Sequence, residues 1–287
     1  MPVRNPGVAG MFYPAQAAAC RAEVLECLAG APPLDLPRPI RAGIVPHAGW
    51  TYSGPTAARV FAAIAAQGAP QTLVLLGAVH RWGIDRAAVY GSGSWRTPLG
   101  DLVVDEELAS ALVADSAGLV VDDPRAHQGE HSIEVHLPFV RLLFPEARIL
   151  PIAITPEAQP EEVGRLAAQA AMALGRAAVA VGSSDLTHYG PRYGLAPVGT
   201  GEAGWRWARE NDARIMELIV GLNAREVLRE AALHHNACGA GAIAAAIGYA
   251  RSLGASEGQV LEYTTSHDVH PVGRPSDLVG YGALALF

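Results

Sequence analysis

The stretch TLVLLGAVH, residues 72–80, contains the clearest strand signal in the chain. Its first five residues are β-branched or aliphatic, and Pro70 and Gly77 bound them. An apolar run without polar alternation is typical of a strand that is buried on both faces. Such strands belong to parallel sheets that lie between two layers of helices.

Similar apolar runs occur elsewhere, and amphipathic segments separate them. Further strands are predicted at residues 42–45, 148–154, 177–181, 259–265 and 278–286. Helices are predicted at residues 16–29, 55–67, 105–114, 132–144, 159–174, 205–220, 224–232 and 239–251. Strands that alternate with helices pair in parallel and place helices on both sheet faces. We therefore expect an α/β fold with a central, mostly parallel or mixed sheet sandwiched between helices, as a single domain over residues 1–287.

The composition excludes several classes of protein. Half of the 287 residues are hydrophobic and 17% are charged, which excludes a disordered chain. The net charge is −7 and no basic stripe occurs, so no nucleic-acid partner is expected. The longest small-apolar stretch, residues 237–250, is shorter than the roughly 20 residues of a membrane span. The N-terminal residues also lack the apolar core of a secretory signal, so we expect no membrane association and a cytoplasmic location.

Titratable side chains follow three of the predicted strands directly. His47 follows the strand at 42–45, His80 follows the strand at 72–76, and Asp185 and His188 follow the strand at 177–181. Ligands of open α/β sheets bind outside the carboxyl ends of the parallel strands. These four side chains are therefore expected to converge on one site.

Two imidazoles and an anionic ligand form a common site for non-haem iron. Cys238 could supply the anion, because it precedes Gly239 at the start of a predicted helix, where amide dipoles favour a thiolate. A small buried cysteine packed against a glycine-rich turn remains the alternative.

A second group of titratable residues lies between residues 122 and 136. Residues 127–131 match the H-x-x-E-H pattern of a zinc peptidase, although Gly129 argues against the continuous helix that this pattern requires. The other interpretation is that His131, Glu134 and His136 lie beside the strand-end site and orient its ligands.

At these residues the chain resembles the Memo (mediator of cell motility) family, whose bacterial and archaeal members are called AmmeMemoRadiSam system protein B. The matching segments are residues 8–14 (VAGMFYP), 46–54 (PHAGWTYSG), 95–100 (WRTPLG), 130–139 (EHSIEVHLPF), 183–189 (SSDLTHY) and 237–239 (ACG). The family is similar in fold to the LigB-type class III extradiol dioxygenases. The resemblance implies His47, His80 and Cys238 as metal ligands, with Asp185 and His188 beside them.

The resemblance also implies a function and two pocket residues. Memo-like proteins are associated with iron or copper and redox chemistry, and the animal member binds phosphorylated receptor peptides. Phe12 and Tyr52 match positions that line that peptide pocket, with Phe12 at a position where the animal protein has tryptophan. The residues before His80, Gly77-Ala78-Val79, depart from the family's usual Gly-Pro-Ser or Gly-Pro-Asn.

Two functions follow as hypotheses. In the first, the protein is a dioxygenase-like redox enzyme that uses Fe(II) or copper, with His188 as the acid/base and Asp185 as the residue that orients it. In the second, it is a non-catalytic adaptor that uses the inherited pocket to bind a small molecule, a peptide or another AmmeMemoRadiSam protein.

Overall fold

A nine-stranded mixed sheet forms the centre of the computed structural model, which describes residues 2–31, 36, 38–80 and 83–287. The strands are β1 Val3–Arg4, β2 Ala42–Val45, β3 Thr72–Gly77, β4 Ala87–Val89, β5 Ser94–Thr97, β6 Gly100–Val103, β7 Val120–Asp122, β8 Arg148–Ala153, β9 Ala178–Ser183, β10 His188–Tyr189, β11 Gly258–Thr265 and β12 Leu278–Leu286. The helices are α1 Ala17–Ala29, α2 Trp50–Gln67, α3 Glu106–Asp115, α4 Leu137–Leu143, α5 Pro160–Ala173, α6 Glu202–Val220, α7 Ala224–His234, α8 Ala240–Ser252 and α9 Ser266–Val269.

The strand order of the main sheet is β10-β12-β2-β9-β3-β8-β4-β7, and β11 pairs with β12. The four central strands, β2, β9, β3 and β8, are parallel. The pairs of β12 with β2 and of β4 with β8 are antiparallel. A separate small sheet contains β1, β5 and β6. The predicted class, a mostly parallel or mixed sheet between helices, is confirmed.

Strand β3 is buried on both faces, as its sequence predicts. Leu73 and Leu75 belong to the core formed with α1, α2 and α4, whereas Val74 and Leu76 belong to the core formed with α5 to α8. All six residues of the strand are buried. The alternation of side chains along the strand thus joins the sheet to both helix layers.

From Ala240 on, the small-residue stretch at 237–250 lies in α8, which packs closely on its neighbours. A Cβ atom at Gly164 of α5 would lie 1.8 Å from the carbonyl oxygen of Ala245. At the start of α8, a Cβ atom at Gly239 would lie 2.2 Å from the carbonyl oxygen of Ser183, the last residue of β9. Glycine at these positions therefore lets α8 approach α5 and the end of β9. Among the described residues, no helix is both long and apolar enough to cross a membrane.

Prolines explain two differences from the predicted helices. Helix α2 begins at Trp50 rather than at Pro55, because Pro55 is accommodated inside the helix. The predicted helix at 132–144 is instead a short 3₁₀ turn, Glu134–His136, followed by α4 with Pro138 near its start. Proline lacks the backbone N–H that an interior helix position needs, so the α-helical hydrogen bonding begins only around Pro138.

Candidate metal centre

The carboxyl ends of three neighbouring parallel strands form the base of the site. Strand β9 lies between β2 and β3, and the three strands lead to Asp185, His47 and His80 respectively. The rings of His47 and His80 meet edge to face, with their centroids 5.2 Å apart. The structure therefore brings together side chains that are more than 30 residues apart in the sequence, because parallel strands end at the same edge of the sheet.

A third histidine completes the group, which we call the histidine cluster: His47, His80 and His131. One ring nitrogen from each lies within 4.8 Å of the others. The His131 ring stacks on that of His80 with a centroid separation of 4.8 Å and an interplanar angle of 18°. The cluster could hold a metal ion, because imidazole nitrogen is a common metal ligand. His131 thus lies in the cluster itself rather than only beside it.

Hydrogen bonds fix the tautomer of His47. Its Nδ1 lies 2.8 Å from the hydroxyl oxygen of Ser183, and this hydroxyl donates to the backbone carbonyl of Ser132 at 2.6 Å. Since the carbonyl can only accept, the Ser183 proton is already used, and His47 Nδ1 must be the donor. The lone pair of His47 is consequently on Nε2, and the Sγ atom of Cys238 lies 3.3 Å from that nitrogen.

A buried carboxylate, that of Glu130, fixes the tautomer of His80. Glu130, 3% exposed, accepts hydrogen bonds from His80 Nδ1 at 3.0 Å and from the His80 amide at 2.8 Å. It also accepts from the amides of His131 and Ser132, at 2.8 and 2.9 Å. Burial opposes ionisation of Glu130, but the bonds from His80 and these amides outweigh it and hold its pKa far below the usual range. His80 Nδ1 donates to this carboxylate, which leaves Nε2 as the free ligand atom.

The electrostatics differ between the two histidines. Burial, with contributions from His80 and His131, lowers the pKa of His47 well below its ordinary value, so this ring is neutral at pH 7. The hydrogen bond to Glu130 raises the pKa of His80. Glu130 therefore stabilises a positive charge at His80, whether a proton or a bound cation supplies it.

Cys238 lies at the entrance to α8, close to the loop after β9. Its amide donates to the carbonyl of Asp185 at 3.2 Å, and the amide of Gly239 donates to the Ser184 hydroxyl at 2.9 Å. The expectation that the helix start lowers the thiol pKa is wrong. Burial raises the pKa of Cys238, and the nearby Asp185 carboxylate raises it further. Without a cation, the thiol is therefore the favoured form.

Five of the predicted residues line one pocket of about 630 Å³: Phe12, Tyr52, His131, Asp185 and His188. The Asp185 carboxylate accepts from the His47 amide at 2.7 Å, and burial raises the pKa of Asp185. Burial lowers the pKa of His188, so its ring is neutral at pH 7. The Phe12 and His131 rings are 4.9 Å apart, and Tyr52 is 41% exposed. The pocket thus joins the histidine cluster to a wall of aromatic and titratable side chains.

The two remaining predicted residues are in different places. His136 Nε2 lies 3.1 Å from the Ser183 hydroxyl, so His136 contacts the group that orients His47. The hydrogen bonds of Glu134 instead go to the N-terminal segment: to Arg4 at 2.7 Å, to the amides of Gly7 and Val8, and to the Tyr13 hydroxyl. Glu134 therefore fixes the segment that carries Phe12.

The zinc-peptidase interpretation of residues 127–131 fails. His127 ends a 3₁₀ turn, and Gly129 has a φ of +70°, so no continuous helix aligns His127 with His131. The His127 ring is buried beside Trp95, and its Nε2 bonds to the carbonyl of Ala88 at 3.0 Å. His127 is thus a core residue.

Sequence reasoning missed the roles of Ser183 and Glu130. Ser183 is the last residue of β9, and Glu130 directly precedes His131. The position of Ser183 at a strand end and that of Glu130 beside a histidine were usable signals, because histidine ligands need a hydrogen-bond acceptor for the other ring nitrogen.

Fold and site together define a class of protein: an α/β protein whose parallel strands end at a histidine cluster that could bind metal. The family model for "Memo-like protein" matches residues 4–285. A MEMO1 family protein of Thermococcus onnurineus is 40% identical, with 98% of both chains aligned. A MEMO1 family protein of Pyrococcus abyssi is 39% identical over 99% of both chains, and one of Methanopyrus kandleri is 36% identical over 98% of both. The chain belongs to the Memo-like family, which confirms the resemblance seen in its motifs.

Proposed function

We propose that His47, His80 and Cys238 bind a redox-active metal ion, Fe(II) or copper, and that the protein carries out redox chemistry on a ligand in the adjoining pocket. The observation that carries this proposal is the hydrogen bonding of the two histidines. Ser183 and Glu130 occupy both Nδ1 atoms, so both Nε2 atoms are free for a metal. A hydrogen-bonded second nitrogen is the usual arrangement of metal-binding histidines.

The distance from His47 to Cys238 supports the thiol as the third ligand. Metal–nitrogen and metal–sulfur bonds of about 2.1 and 2.3 Å at a tetrahedral angle place the two ligand atoms roughly 3.5 Å apart. His47 Nε2 and Cys238 Sγ are 3.3 Å apart. The His131 ring stacks on His80, and stacked rings direct their in-plane lone pairs along separate planes. We therefore propose Cys238 as the third ligand, and His131, whose ring nitrogen lies within 4.8 Å of those of His47 and His80, is the alternative that the titration below separates from it.

The charges also suit a divalent ion. Glu130 is ionised, and a metal ion that displaces the proton of Cys238 leaves a thiolate as a second negative charge beside His80 and the neutral His47. Bound by two histidines and one thiolate, the metal would supply a redox centre with positions open to a ligand.

His188 and Asp185 provide the proton chemistry of the proposed pocket. His188 is neutral at pH 7 and can accept a proton from a bound ligand. The His47 amide holds Asp185, whose carboxylate favours the imidazolium that forms when His188 is protonated. Phe12 and Tyr52 would exclude water from one side of that ligand.

Anaerobic Fe(II) titration of the purified protein tests the metal site. We expect one ion per chain with micromolar or tighter affinity, and loss of that binding in Cys238→Ala and in His47→Ala. Cys27→Ala is the matched control, because Cys27 is a buried cysteine of α1 in the core below α2. His131→Ala should retain most of the affinity. Micromolar binding that persists in the His47→Ala, Cys238→Ala double variant would refute the assignment.

A second function uses the same pocket without turnover. The exposed Tyr52 ring and the open cavity beside it favour an adaptor that binds a peptide or another AmmeMemoRadiSam protein. This alternative predicts that peptide or partner binding survives in Cys238→Ala and that the iron-loaded protein consumes no oxygen with catechols or thiols. Oxygen consumption that depends on Cys238 would exclude it.

A further inference from the structure

Two loops carry polar residues of the proposed site, and one buried asparagine contacts both. The β9 loop, residues 184–187, bears Asp185 and leads to His188 at the start of β10, and the α8 loop, residues 235–239, bears Cys238. Asn211 lies in the middle of α6 and is fully buried. Asparagine is disfavoured in helix interiors, and a buried amide is costly unless it is hydrogen-bonded. The partners of Asn211 therefore indicate its role.

The side-chain amide of Asn211 donates once to each loop region. Its Nδ2 donates to the Thr187 hydroxyl at 2.9 Å and to the carbonyl of His234, the residue before the α8 loop, at 3.0 Å. Its Oδ1 accepts from Arg214, which fixes the orientation of the amide. The backbone carbonyl of Asn211 also accepts from Asn236 Nδ2 at 2.8 Å, inside the α8 loop.

Direct bonds between the two loops are few. The Cys238 amide donates to the Asp185 carbonyl at 3.2 Å, and the Gly239 amide donates to the Ser184 hydroxyl at 2.9 Å. The β9 loop is also tied to His47, whose amide donates to Asp185 at 2.7 Å. A connected path thus runs from His47 through the β9 loop to Asn211, and from there to the loop of Cys238.

We propose that Asn211 is a positioning residue that couples the β9 loop to the α8 loop and so sets the separation of Cys238 Sγ from His47 Nε2. The effect on metal binding rests on the function proposed above. The coupling of the loops does not, and it can be measured in the metal-free chain.

Amide hydrogen exchange tests the coupling. Asn211→Leu keeps a side chain of similar size and removes all side-chain hydrogen bonds, so the Cys238 and Gly239 amides should exchange about tenfold faster than in the wild type. Thr187→Val removes the hydroxyl that accepts from Asn211 and that also bonds to the Asp212 carboxylate, and it should give a smaller increase; it carries the test if Asn211→Leu does not fold. Ile219→Val, a core change on the same helix, is the control and should leave these two amides unchanged. If the Cys238 and Gly239 amides exchange at the same rate in the wild type, in Asn211→Leu and in Thr187→Val, the proposal is overturned.

Fe(II) titration of Asn211→Leu, alone and combined with Cys238→Ala, tests whether Asn211 affects metal binding through Cys238. Asn211→Leu should weaken binding about tenfold in the wild type and should leave the residual binding of Cys238→Ala, weaker than micromolar and titrated at higher iron concentrations, unchanged, because the loss acts through the position of Cys238. The same weakening in both backgrounds would overturn the inference. If the wild type and Cys238→Ala bind iron equally, the proposed metal site fails, and the exchange rates alone decide the coupling.

Discussion

Replacement of Glu130 by glutamine should weaken metal binding as well as the fold. Both oxygens of Glu130 accept hydrogen bonds: Oε1 from His80 Nδ1 and from the amides of His131 and Ser132, and Oε2 from the His80 amide, with His80 Nδ1 also 3.2 Å from Oε2. In Glu130→Gln, the new NH₂ group faces one of these donors, so at least one charge-assisted bond of about 1.5–3 kcal/mol is lost. The negative charge that favours a cation at His80 is lost as well.

The expected loss of metal affinity follows from the role of Glu130 in orienting a histidine ligand. Loss of the group that orients a histidine ligand typically lowers metal affinity by about 10- to 100-fold. Anaerobic calorimetric titration with Fe(II) at neutral pH measures this change, and urea unfolding of the metal-free chain measures stability. Nitrogen-15 NMR of the His80 ring gives a separate readout, since the Nδ1-protonated tautomer should lose its dominance in Glu130→Gln.

Asp105→Asn is the matched control for this variant. Asp105 is also a fully buried carboxylate, and it accepts from the Thr72 hydroxyl at 2.6 Å at the opposite end of β3. It also caps α3 through the amide of Leu108, so its loss should reduce stability while the dissociation constant for iron stays within about twofold. The reasoning is refuted if Glu130→Gln and Asp105→Asn change that constant equally.

Three further predictions test other parts of the structure. Ser183→Ala should lower iron affinity about tenfold, because it removes the acceptor that fixes the tautomer of His47; unchanged affinity in the titration would contradict this. Gly239→Ala places a Cβ atom 2.2 Å from the Ser183 carbonyl and should cost roughly 1–3 kcal/mol in urea unfolding, whereas Gly30→Ala, with its nearest neighbour at 3.7 Å, should cost little. Burial raises the pKa of Asp212 from 3.8 to about 6, so its contribution to stability is full at low pH and is lost as the pH rises through about 6. Asp212→Asn mimics the protonated acid, and its stability relative to the wild type should increase by roughly 3 kcal/mol between about pH 4 and pH 8; parallel stability curves would exclude this titration.

The sequence predicted the central sheet well because its strands are buried on both faces. The strands at Ala42–Val45 and Leu278–Leu286 coincide with the predicted ranges, and β3 extends its predicted range only to Gly77. The short strands β4, β5 and β6 were missed. They have only three or four residues each, and β5 includes Ser94 and Arg96, so their sequences show no long apolar run. β4 pairs with β7 and β8 and β5 pairs with β1, all distant in the sequence, whereas β6 forms a hairpin with β5; these pairings, rather than an apolar pattern, stabilise the three strands.

The site residues that the sequence could place follow regular strands, and those that it could not place lie in irregular segments. His47, His80 and Asp185 follow regular strands, so the parallel topology alone places them at one edge of the sheet. His131 lies in an irregular segment between β7 and α4, whose path depends on tertiary contacts.

The tertiary contact that places His131 is Glu130 itself. One carboxylate accepts from the amides of His80, His131 and Ser132, so it fixes the irregular segment against the loop after β3 while it orients the His80 ring. The buried pair of Glu134 with Arg4 then attaches the N-terminal segment, which carries Phe12 to the His131 ring. Buried carboxylates need several hydrogen-bond donors. Glu130 and Glu134 therefore hold backbone amides from three distant parts of the chain, the N-terminal segment, the loop after β3 and the segment before α4, close to the histidine cluster. The pocket wall and the orientation of the metal ligands therefore depend on the same short segment, which local sequence patterns describe least well.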